Sequence, residues 1–553
     1  MSNIVLNPLD CISTLFKASR CSSKETNFGV SDYFDAEIKN SSTEIPTLTN
    51  ANVGSLPNLS LVRLVGTVQD LPNPELYLGV AKLPDGSLIT TKYSDGIDPR
   101  LAQCEQVSLW DRRPVVLTAP PCSSWVSGFR AASRESSSAS LGHNLASQHE
   151  GFLAYLYDDQ GTNVCLHDLV EILGILSKQD VSEELRHKLQ EQHLGDTLIE
   201  GDQDQIDGFV DDAQAFSKMI RVHAISITRK PNLRSTLGTI PPACPASDII
   251  QLRSDAVSML SSGLGGDALA AEYLLMLSLE SVTTRVSEGM TTGIAPLNIT
   301  NCPASPHQHT NQDLDSGVSE FAAALHYVLS ELLPLSASLP LNVAACNKGD
   351  WSPCRPPGQS RVQPSPLQLP HGTCLIVDET GLTQGRLDEK GTSSLAALQR
   401  VLTEQILVYE FEMFKHPVPV NLPTVVLSTC RSILKEALPV TLPLAPSKNL
   451  ASLNEVKALL SEQLGQLEVV RGYLAAVSSL PYEITEGAKQ RLVEEFVIMR
   501  QKDASFGPEQ FQNLLTLARA CALSFGESSL TGERWEYLKG LEVLRSSRQL
   551  TSV

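Results

Sequence analysis

Two segments of the sequence have the residue types that nucleotide chemistry requires. Residues 262–278 contain a glycine-rich turn, Gly265-Gly266-Asp267, that opens a strongly apolar helix. About a hundred residues later, an apolar run ends in the acidic pair Asp378-Glu379, which is typical of a buried parallel strand. Backbone N–H groups at a helix N-terminus bind phosphates, and carboxylates hold the accompanying magnesium ion. The order of these parts predicts a nucleotide-binding core of the P-loop type.

The residues that should grip the phosphates are missing from this segment. A P-loop needs a lysine that cancels phosphate charge and a hydroxyl that binds magnesium. Glu272 stands at the lysine position and Tyr273 at the hydroxyl position. Because a glutamate repels a triphosphate, we expect a degenerate pocket, no cofactor and no enzymatic activity. Two alternatives stay open: the glycine turn is an ordinary helix start, and the acidic pair caps a turn.

A metal site is not expected. Cys302, His307 and His309 have suitable side chains, but the spacing Cys-x4-His-x-His matches no common zinc pattern and lacks an evident fourth ligand. A polar loop accounts for these residues better. The sequence also has no G-x-S-x-G motif and no cysteine or serine with an obvious partner for nucleophilic catalysis.

Charge and composition narrow the class of partner. The formal net charge is −19, and the densest basic stretch, around Arg229-Lys230, is short. Such a chain is repelled by phosphate backbones, so proteins are the expected partners and direct nucleic acid binding is not. The 12 cysteines are scattered without a CxxC pair, which is typical of reduced thiols in the nucleus or cytosol. No apolar run approaches the length of a membrane span, and no signal peptide is apparent.

The elements that would position these residues fall into five segments. Residues 1–57 form a polar N-terminal segment. Residues 58–178 contain five candidate strands, at 61–68, 75–82, 114–119, 152–157 and 169–176, and a serine-rich insertion at 131–146. Short strands with glycine at bends favour a five-stranded OB-like β-barrel, with another small β domain as the alternative.

An acidic connector is expected at 179–220, where residues 196–212 hold seven acidic residues and no lysine or arginine. It is a solvated linker or a docking segment for a basic partner. An AAA+-like α/β core with the degenerate P-loop follows at 221–447, beginning with a strand at 221–228 and containing a proline-rich loop at 349–370. Three apolar stripes predict a helical, lid-like domain at 448–553.

Several of these segments resemble the family of mini-chromosome maintenance (MCM) complex-binding proteins. The segments that carry the resemblance are residues 61–70 with 75–80, 266–275, 375–380 with 384–388, and Glu533-Arg534-Trp535. That family is similar to the MCM helicase subunits, whose corresponding turn reads Gly-Asp-Pro-Gly-x-x-Lys-Ser. On the helicase pattern, Glu272 replaces the lysine, Tyr273 the serine, and Glu509 the arginine of the lid that senses the γ-phosphate.

The resemblance implies a nuclear protein that binds MCM helicase subunits. It implies a role in assembling the MCM complex or unloading it from chromatin during DNA replication, with a link to sister-chromatid cohesion. The predicted fold is multidomain α+β and α/β, with an OB-like barrel, an AAA+-like core and a helical lid. Two other functions stay open: an ATP-binding AAA+ protein, and a single-stranded-DNA-binding OB protein.

Overall fold

The computed structural model describes residues 3–19, 27–41, 44–95, 106–123, 125–126, 151–178, 216, 219–230, 246–285, 291–304, 317–357, 359 and 361–551. Within these ranges the protein is a multidomain mixture of helices and β-sheets. The serine-rich insertion at 131–146 and the acidic stretch at 196–212 lie outside the described residues. None of the helices in the described ranges has both the length and the apolar character needed to cross a membrane.

The N-terminal segment is helical and partly buried, which corrects its prediction as a merely polar segment. Its helices are α1 (Asn3–Leu6), α2 (Pro8–Ser19) and α3 (Val30–Ser41). Ile12, Phe16 and Phe34 are buried in one hydrophobic cluster with strand residues that include Trp110 and Tyr155. The spacing of Pro8, Ile12 and Phe16 places the three on one helix face, and this pattern was overlooked among the polar residues.

The first sheet confirms the five predicted strands and adds two. Its strands are β1 (Leu61–Asp70), β2 (Glu75–Lys82), β3 (Leu88–Thr90), β4 (Gln106–Thr118), β5 (Phe152–Leu156), β6 (Leu169–Ser177) and β7 (Arg221–Arg229). They lie in the order β1-β6-β7-β5-β4-β2-β3, and β4 also pairs with β1. The pairings therefore run from β1 through four neighbours and return to β1. Gly66 permits the close approach of β1 to β4, because a Cβ there would lie 2.8 Å from the Cβ of Leu117.

The placement of strand 221–228 at the start of the second domain was wrong. β7 pairs with β6 over most of its length, with Ile172 opposite Ile227, and it pairs in parallel with β5. It therefore completes the first sheet from across the connector. Phe216 and Met219, predicted as part of a solvated linker, are buried in the same cluster as the N-terminal helices. The position of β7 is set by pairing with strands that are distant in sequence, and local composition gives no information about such pairing.

The second sheet is parallel and has helices on both faces. The remaining strands are β8 (Thr284–Arg285), β9 (Thr291–Thr292), β10 (Leu297–Thr300), β11 (Ser336–Pro340), β12 (Cys374–Asp378), β13 (Ile406–Glu410), β14 (Lys415–Pro419), β15 (Thr424–Leu427) and β16 (Val440–Pro443). Five of them form the parallel sheet in the order β11-β12-β15-β10-β16. The predicted buried strand ending in Asp378 is thus confirmed as β12, second in this sheet.

The remaining helices surround this sheet and continue to the C-terminal region. They are α4 (Ala246–Ser262), α5 (Ala268–Leu279), α6 (Glu320–Leu332), α7 (Val343–Lys348), α8 (Glu389–Glu404), α9 (Leu453–Ser461), α10 (Leu464–Ser478), α11 (Glu486–Lys502), α12 (Pro508–Ser524) and α13 (Gly532–Thr551). Side chains alternate along β12: Ile376 packs in the cluster of α4–α6, and Leu375 and Val377 pack in the cluster of α8.

The C-terminal helices confirm the three predicted stripes, with one exception. Leu492, Ala518 and Leu538 are buried on α11, α12 and α13, but Leu544 at the end of the third stripe is 54% exposed. These residues share one hydrophobic cluster with α4–α6 and with one face of the parallel sheet. The C-terminal helices therefore extend the core of the preceding segment.

Contacts at several places join the first sheet to the parallel-sheet region, and two of them involve Ser123 and the proline-rich loop. Ser123 donates its backbone N–H to the Pro334 carbonyl and its hydroxyl to the Leu333 carbonyl. At the second contact, the proline-rich loop lies against the end of β1: the Val362 N–H donates to the Asp70 carboxylate at 3.2 Å, and Gln368 donates to the Gln69 carbonyl. The loop predicted at 349–370 is thus a structural link as well as a connection.

Candidate functional site

The carboxyl edge of the parallel sheet is the place where chemistry is expected. In open α/β sheets, ligands bind beyond the carboxyl ends of the strands. β10, β15 and β12 are consecutive neighbours, so the residues that follow them lie along one edge. Asp378 is the last residue of β12, Glu379 follows it, and Ser428 follows β15. The segment after β10 leads into α6, which gives the strand–loop–helix order that phosphate-binding loops have.

Asp378 is buried and fully engaged within the chain. Its side chain accepts hydrogen bonds from the Ser319 N–H at 2.6 Å and from the Thr380 hydroxyl at 2.6 Å. Ser319 is the N-cap of α6 and accepts from the Ala322 N–H. A helix N-terminus after a strand is where a phosphate would bind, since its N–H groups are free and its dipole is positive there. Here the carboxylate of Asp378 supplies the negative charge at that position.

Glu379 is likewise committed to a neighbouring loop. Its two carboxylate oxygens accept from the Ser432 hydroxyl at 2.5 Å and from the Ile433 N–H at 2.8 Å. Burial raises the pKa of this carboxyl, although both hydrogen bonds oppose the shift. A carboxylate that activates water or holds a metal ion must present free lone pairs. Glu379 instead fixes the loop between β15 and β16.

A third set of contacts ties β10 to β15 at the same edge. The Ser428 hydroxyl donates to the Asn298 side chain at 3.0 Å, and the Cys302 N–H donates to the Ser428 carbonyl at 3.0 Å. Cys302 also donates its thiol to the Ile299 carbonyl, and burial raises its pKa. His307 and His309 lie outside the described residues. Within the described part of the chain no group of three metal-ligating side chains occurs.

The predicted phosphate-binding turn lies elsewhere, and that assignment was wrong. Gly265 and Gly266, with φ of 63° and 78°, connect α4 to α5, so the turn joins two helices and does not follow a strand of the sheet. The turn is also filled, because a Cβ on Gly265 would lie 2.8 Å from the Cβ of Pro446. A ligand phosphate has neither the strand nor the space that it requires there.

Asp267 is the N-cap of α5 and connects it to distant segments. Its carboxylate accepts from the N–H groups of Leu269 and Ala270, both at 3.1 Å. The other oxygen accepts from the Ala445 N–H and forms an ion pair with Arg548 of α13 at 2.7 Å. The aspartate predicted to lie in a nucleotide pocket therefore links α5 to α13 and to the segment after β16.

Glu272 and Tyr273 make helix-to-helix contacts. Glu272 forms a two-pronged ion pair with Arg253 of α4, one arm at 2.9 Å, and accepts from the Tyr537 hydroxyl at 3.1 Å. Burial opposes the charge of Arg253, but the bond to Glu272 raises the guanidinium pKa. The Tyr273 hydroxyl donates to Glu542 of α13 at 2.6 Å. Neither side chain stands in for a missing lysine or serine.

Glu509, predicted at the position of a phosphate-sensing arginine, lies exposed in the first turn of α12. The eight predicted site residues are therefore distributed over three places. Asp378 and Glu379 lie at the sheet edge, Glu509 lies on α12, and the other five lie in the α4–α5 turn or on α5: Gly265, Gly266, Asp267, Glu272 and Tyr273. The sequence analysis missed Ser319, Ser428 and Ser432, which complete the edge. The sequence has an apolar run at 297–300 before the helix at 320–332, but no local pattern marks the three serines themselves.

Fold and site together define a class: a multidomain α/β protein whose strand-end acids are engaged by its own backbone and hydroxyl groups. The family model described as mini-chromosome maintenance replisome factor matches residues 35–150 and 130–549. The chain belongs to this family, which confirms the resemblance found in the sequence.

Relatives in plants and animals extend this similarity over nearly the whole chain. The chain is 27% identical to a protein of Arabidopsis thaliana over 588 residues, covering 95% of this chain and 94% of the relative. It is 25% identical to a protein of Danio rerio, covering 98% and 97%. With a Homo sapiens relative it shares 30% identity over 306 residues, 55% of this chain and 45% of the relative. All three are named mini-chromosome maintenance complex-binding protein.

Proposed function

We propose that this protein binds MCM helicase subunits as a non-catalytic scaffold. Through that binding it would regulate the assembly of the MCM complex or its unloading from chromatin during DNA replication, with a link to sister-chromatid cohesion. Membership of the family and the names of the relatives support the binding role. The proposal places the protein in the nucleus, where these complexes act, and the net charge of −19 favours protein over direct nucleic acid contacts.

The architecture supports a helicase-like body within this proposal. The parallel sheet, with helices on both faces and the acidic pair at the end of β12, is what an AAA+-like core requires. The circuit of pairings from β1 back to β1 supports an OB-like first domain. Such a body could lie against an MCM subunit as a neighbouring subunit does.

One observation carries the non-catalytic part of the proposal. The Asp378 carboxylate accepts from the N-cap residue of α6 at 2.6 Å, so the chain's own anion occupies the position of a phosphate. A nucleotide would have to displace this buried carboxylate and leave its charge without partners, which costs several kcal/mol.

ATP binding is the second candidate function, favoured by two adjacent carboxylates at the end of a buried strand. The test is ATP binding and phosphate release by the purified full chain. We expect neither. Magnesium-dependent turnover that disappears in Asp378→Asn would establish an ATPase and overturn the non-catalytic assignment. For the binding role, affinity purification from proliferating cells should recover MCM subunits, and their absence from the bound fraction would contradict it.

A further inference from the structure

The hairpin of β13 and β14 carries the most exposed apolar tip among the described loops. Its turn contains Met413, which is 88% exposed, and Phe414, which is 59% exposed. Water contact at two large neighbouring apolar side chains is unfavourable, and clustered exposure of this kind marks interaction sites. Met413 and Phe414 belong neither to the sheet-edge site nor to the hydrophobic clusters described above.

The base of the hairpin is firmly anchored in the core. Leu407, Tyr409 and Val418 are buried in the cluster on the α8 face of the parallel sheet. At the end of β13, the Glu410 N–H donates to the Pro353 carbonyl at 2.8 Å, and the Arg355 N–H donates to the Glu410 carbonyl at 2.9 Å. β13 is thus held on both sides, by β14 and by the proline-rich loop. The exposed tip therefore stands on a rigid support.

The tip itself is ordered by its aromatic side chains. The rings of Phe411 and Phe414 are stacked, with centroids 4.7 Å apart and planes 23° apart. The Arg355 guanidinium lies 5.4 Å from the centroid of the Phe411 ring. The Phe411 N–H donates to the Phe414 carbonyl at 3.0 Å, which closes the turn around Glu412 and Met413. A side chain already fixed in place loses little conformational entropy when it binds.

The outer strand of the hairpin does not offer a backbone edge for pairing. β14 contains Pro417 and Pro419, both exposed, and proline has no N–H to donate. Strand addition along this edge is therefore disfavoured. The tip can bind only through the side chains that it presents.

We infer that the tip of this hairpin is an apolar anchor that inserts Met413 and Phe414 into a pocket on the MCM subunit. The inference rests on the proposed function. Lys415 pairs with Glu410 at 2.6 Å, whereas Glu412 at the turn takes part in no ion pair among the described residues. The three turn residues 412–414 thus carry a single charge, that of Glu412, while the Arg355 guanidinium lies over the Phe411 ring. A partner pocket that matches the turn has an aliphatic or aromatic floor and a basic group at its rim.

A single-stranded nucleic acid is the less suitable ligand. Binding of such strands combines aromatic stacking with a positively charged groove. The three residues of the turn, 412–414, contain an anion and no cation, and the adjacent lysine is neutralised by Glu410. The charge at this tip repels a phosphate backbone.

The test compares the affinity of the full chain for purified MCM subunits with that of the double variant Met413→Asp/Phe414→Ser. Loss of two central anchors should weaken binding at least about tenfold. Leu550→Asp is the matched control, because Leu550 is also an exposed apolar residue, 82% exposed on α13. The affinity of this variant for MCM subunits should equal that of wild type. Glu412→Lys, at an exposed position outside the stack, should weaken binding as well and reduce its dependence on salt.

The outcomes separate this inference from the proposed function. Wild type and double variant binding with equal affinity would overturn the anchor and leave the scaffold proposal intact. Failure of the wild type to bind any MCM subunit would overturn both. A third outcome would assign the tip to nucleic acid instead. In that case the double variant no longer binds a single-stranded oligonucleotide that wild type binds, while its affinity for MCM subunits is unchanged.

Discussion

Glu272 is best understood from the charges and rings around it. Its partner Arg253 has a side chain only 7% exposed, donates to the Ser524 hydroxyl and lies over the Phe525 ring at 4.1 Å. The pair thus connects α4 and α5 to the end of α12. Tyr537 connects α13 to the same pair through its hydrogen bond to Glu272. A buried guanidinium needs this carboxylate, because an unpaired charge there would be costly.

Glu272→Lys should therefore destabilise the protein and should not create ATP binding. Placing a second cation beside Arg253 leaves two buried positive charges without a partner, a loss of about 3–5 kcal/mol. Chemical denaturation of the full chain measures this loss, with Glu272→Gln as the control that keeps the hydrogen-bonding shape and should lose less. A variant as stable as wild type that also acquired ATP binding would restore the P-loop assignment of residues 265–273.

His167 lies between the two sheets and is fully buried. Its ring hydrogen-bonds to the Leu369 carbonyl at 3.1 Å and to the Tyr409 hydroxyl at 3.3 Å. Burial, reinforced by nearby His371, lowers the pKa of His167 from 6.5 to about 3, while the contact with Leu369 opposes the shift. The imidazole is therefore neutral in the folded protein over the physiological range.

The lowered pKa of His167 predicts a loss of stability in acid. The unfolded chain binds a proton below about pH 6.5, whereas the folded chain does so only near pH 3. The stabilisation is fully present above pH 6.5 and falls by up to about 1.4 kcal/mol per pH unit as the pH drops through this window. His167→Asn, which suits the positive φ of 67°, should reduce that slope by one proton. Identical slopes in both proteins would contradict the assignment.

At the scale of elements, the sequence predicted what local pattern controls. The five predicted strands of the first sheet and β12 are short apolar runs, and the three C-terminal stripes repeat every three to four residues. α1, α2 and α3 were missed because the polar composition of residues 1–57 as a whole hides short helical stripes such as Pro8, Ile12 and Phe16. The turn at Gly265-Gly266 was misassigned because a glycine turn before a helix looks the same whether a helix or a strand precedes it. Only the neighbouring element distinguishes the two.

The N-terminal helices should contribute to the stability of the first sheet. Phe34 of α3 is completely buried in the cluster that includes Trp110 and Tyr155. Phe34→Ala should lower the free energy of unfolding by about 3–5 kcal/mol, through lost burial and the cavity left behind. Urea denaturation provides the measurement. Leu6→Ala, at a side chain 40% exposed, should change it by less than about 0.5 kcal/mol. Equal effects of the two substitutions would show that the helices do not cover the sheet.

At the scale of the whole molecule, pairings and contacts between distant segments were beyond the reach of the sequence. β7 joins β5 and β6 from across the connector, and the proline-rich loop binds the end of β1 through Val362. The same limit applies to the candidate site. The chain's acids Asp378 and Glu379 were found, but their partners Ser319 and Ser432 lie about 55 residues away on either side, and nothing local marks them.

The proposed function requires that the protein bind MCM subunits directly, without hydrolysing ATP itself. Sedimentation velocity of the purified full chain mixed with purified MCM subunits, without added nucleotide, tests it most directly. The account predicts a boundary that sediments faster than either component and contains both. Separate boundaries for the chain and the MCM subunits, at concentrations well above the dissociation constant of a specific complex, would contradict the proposal.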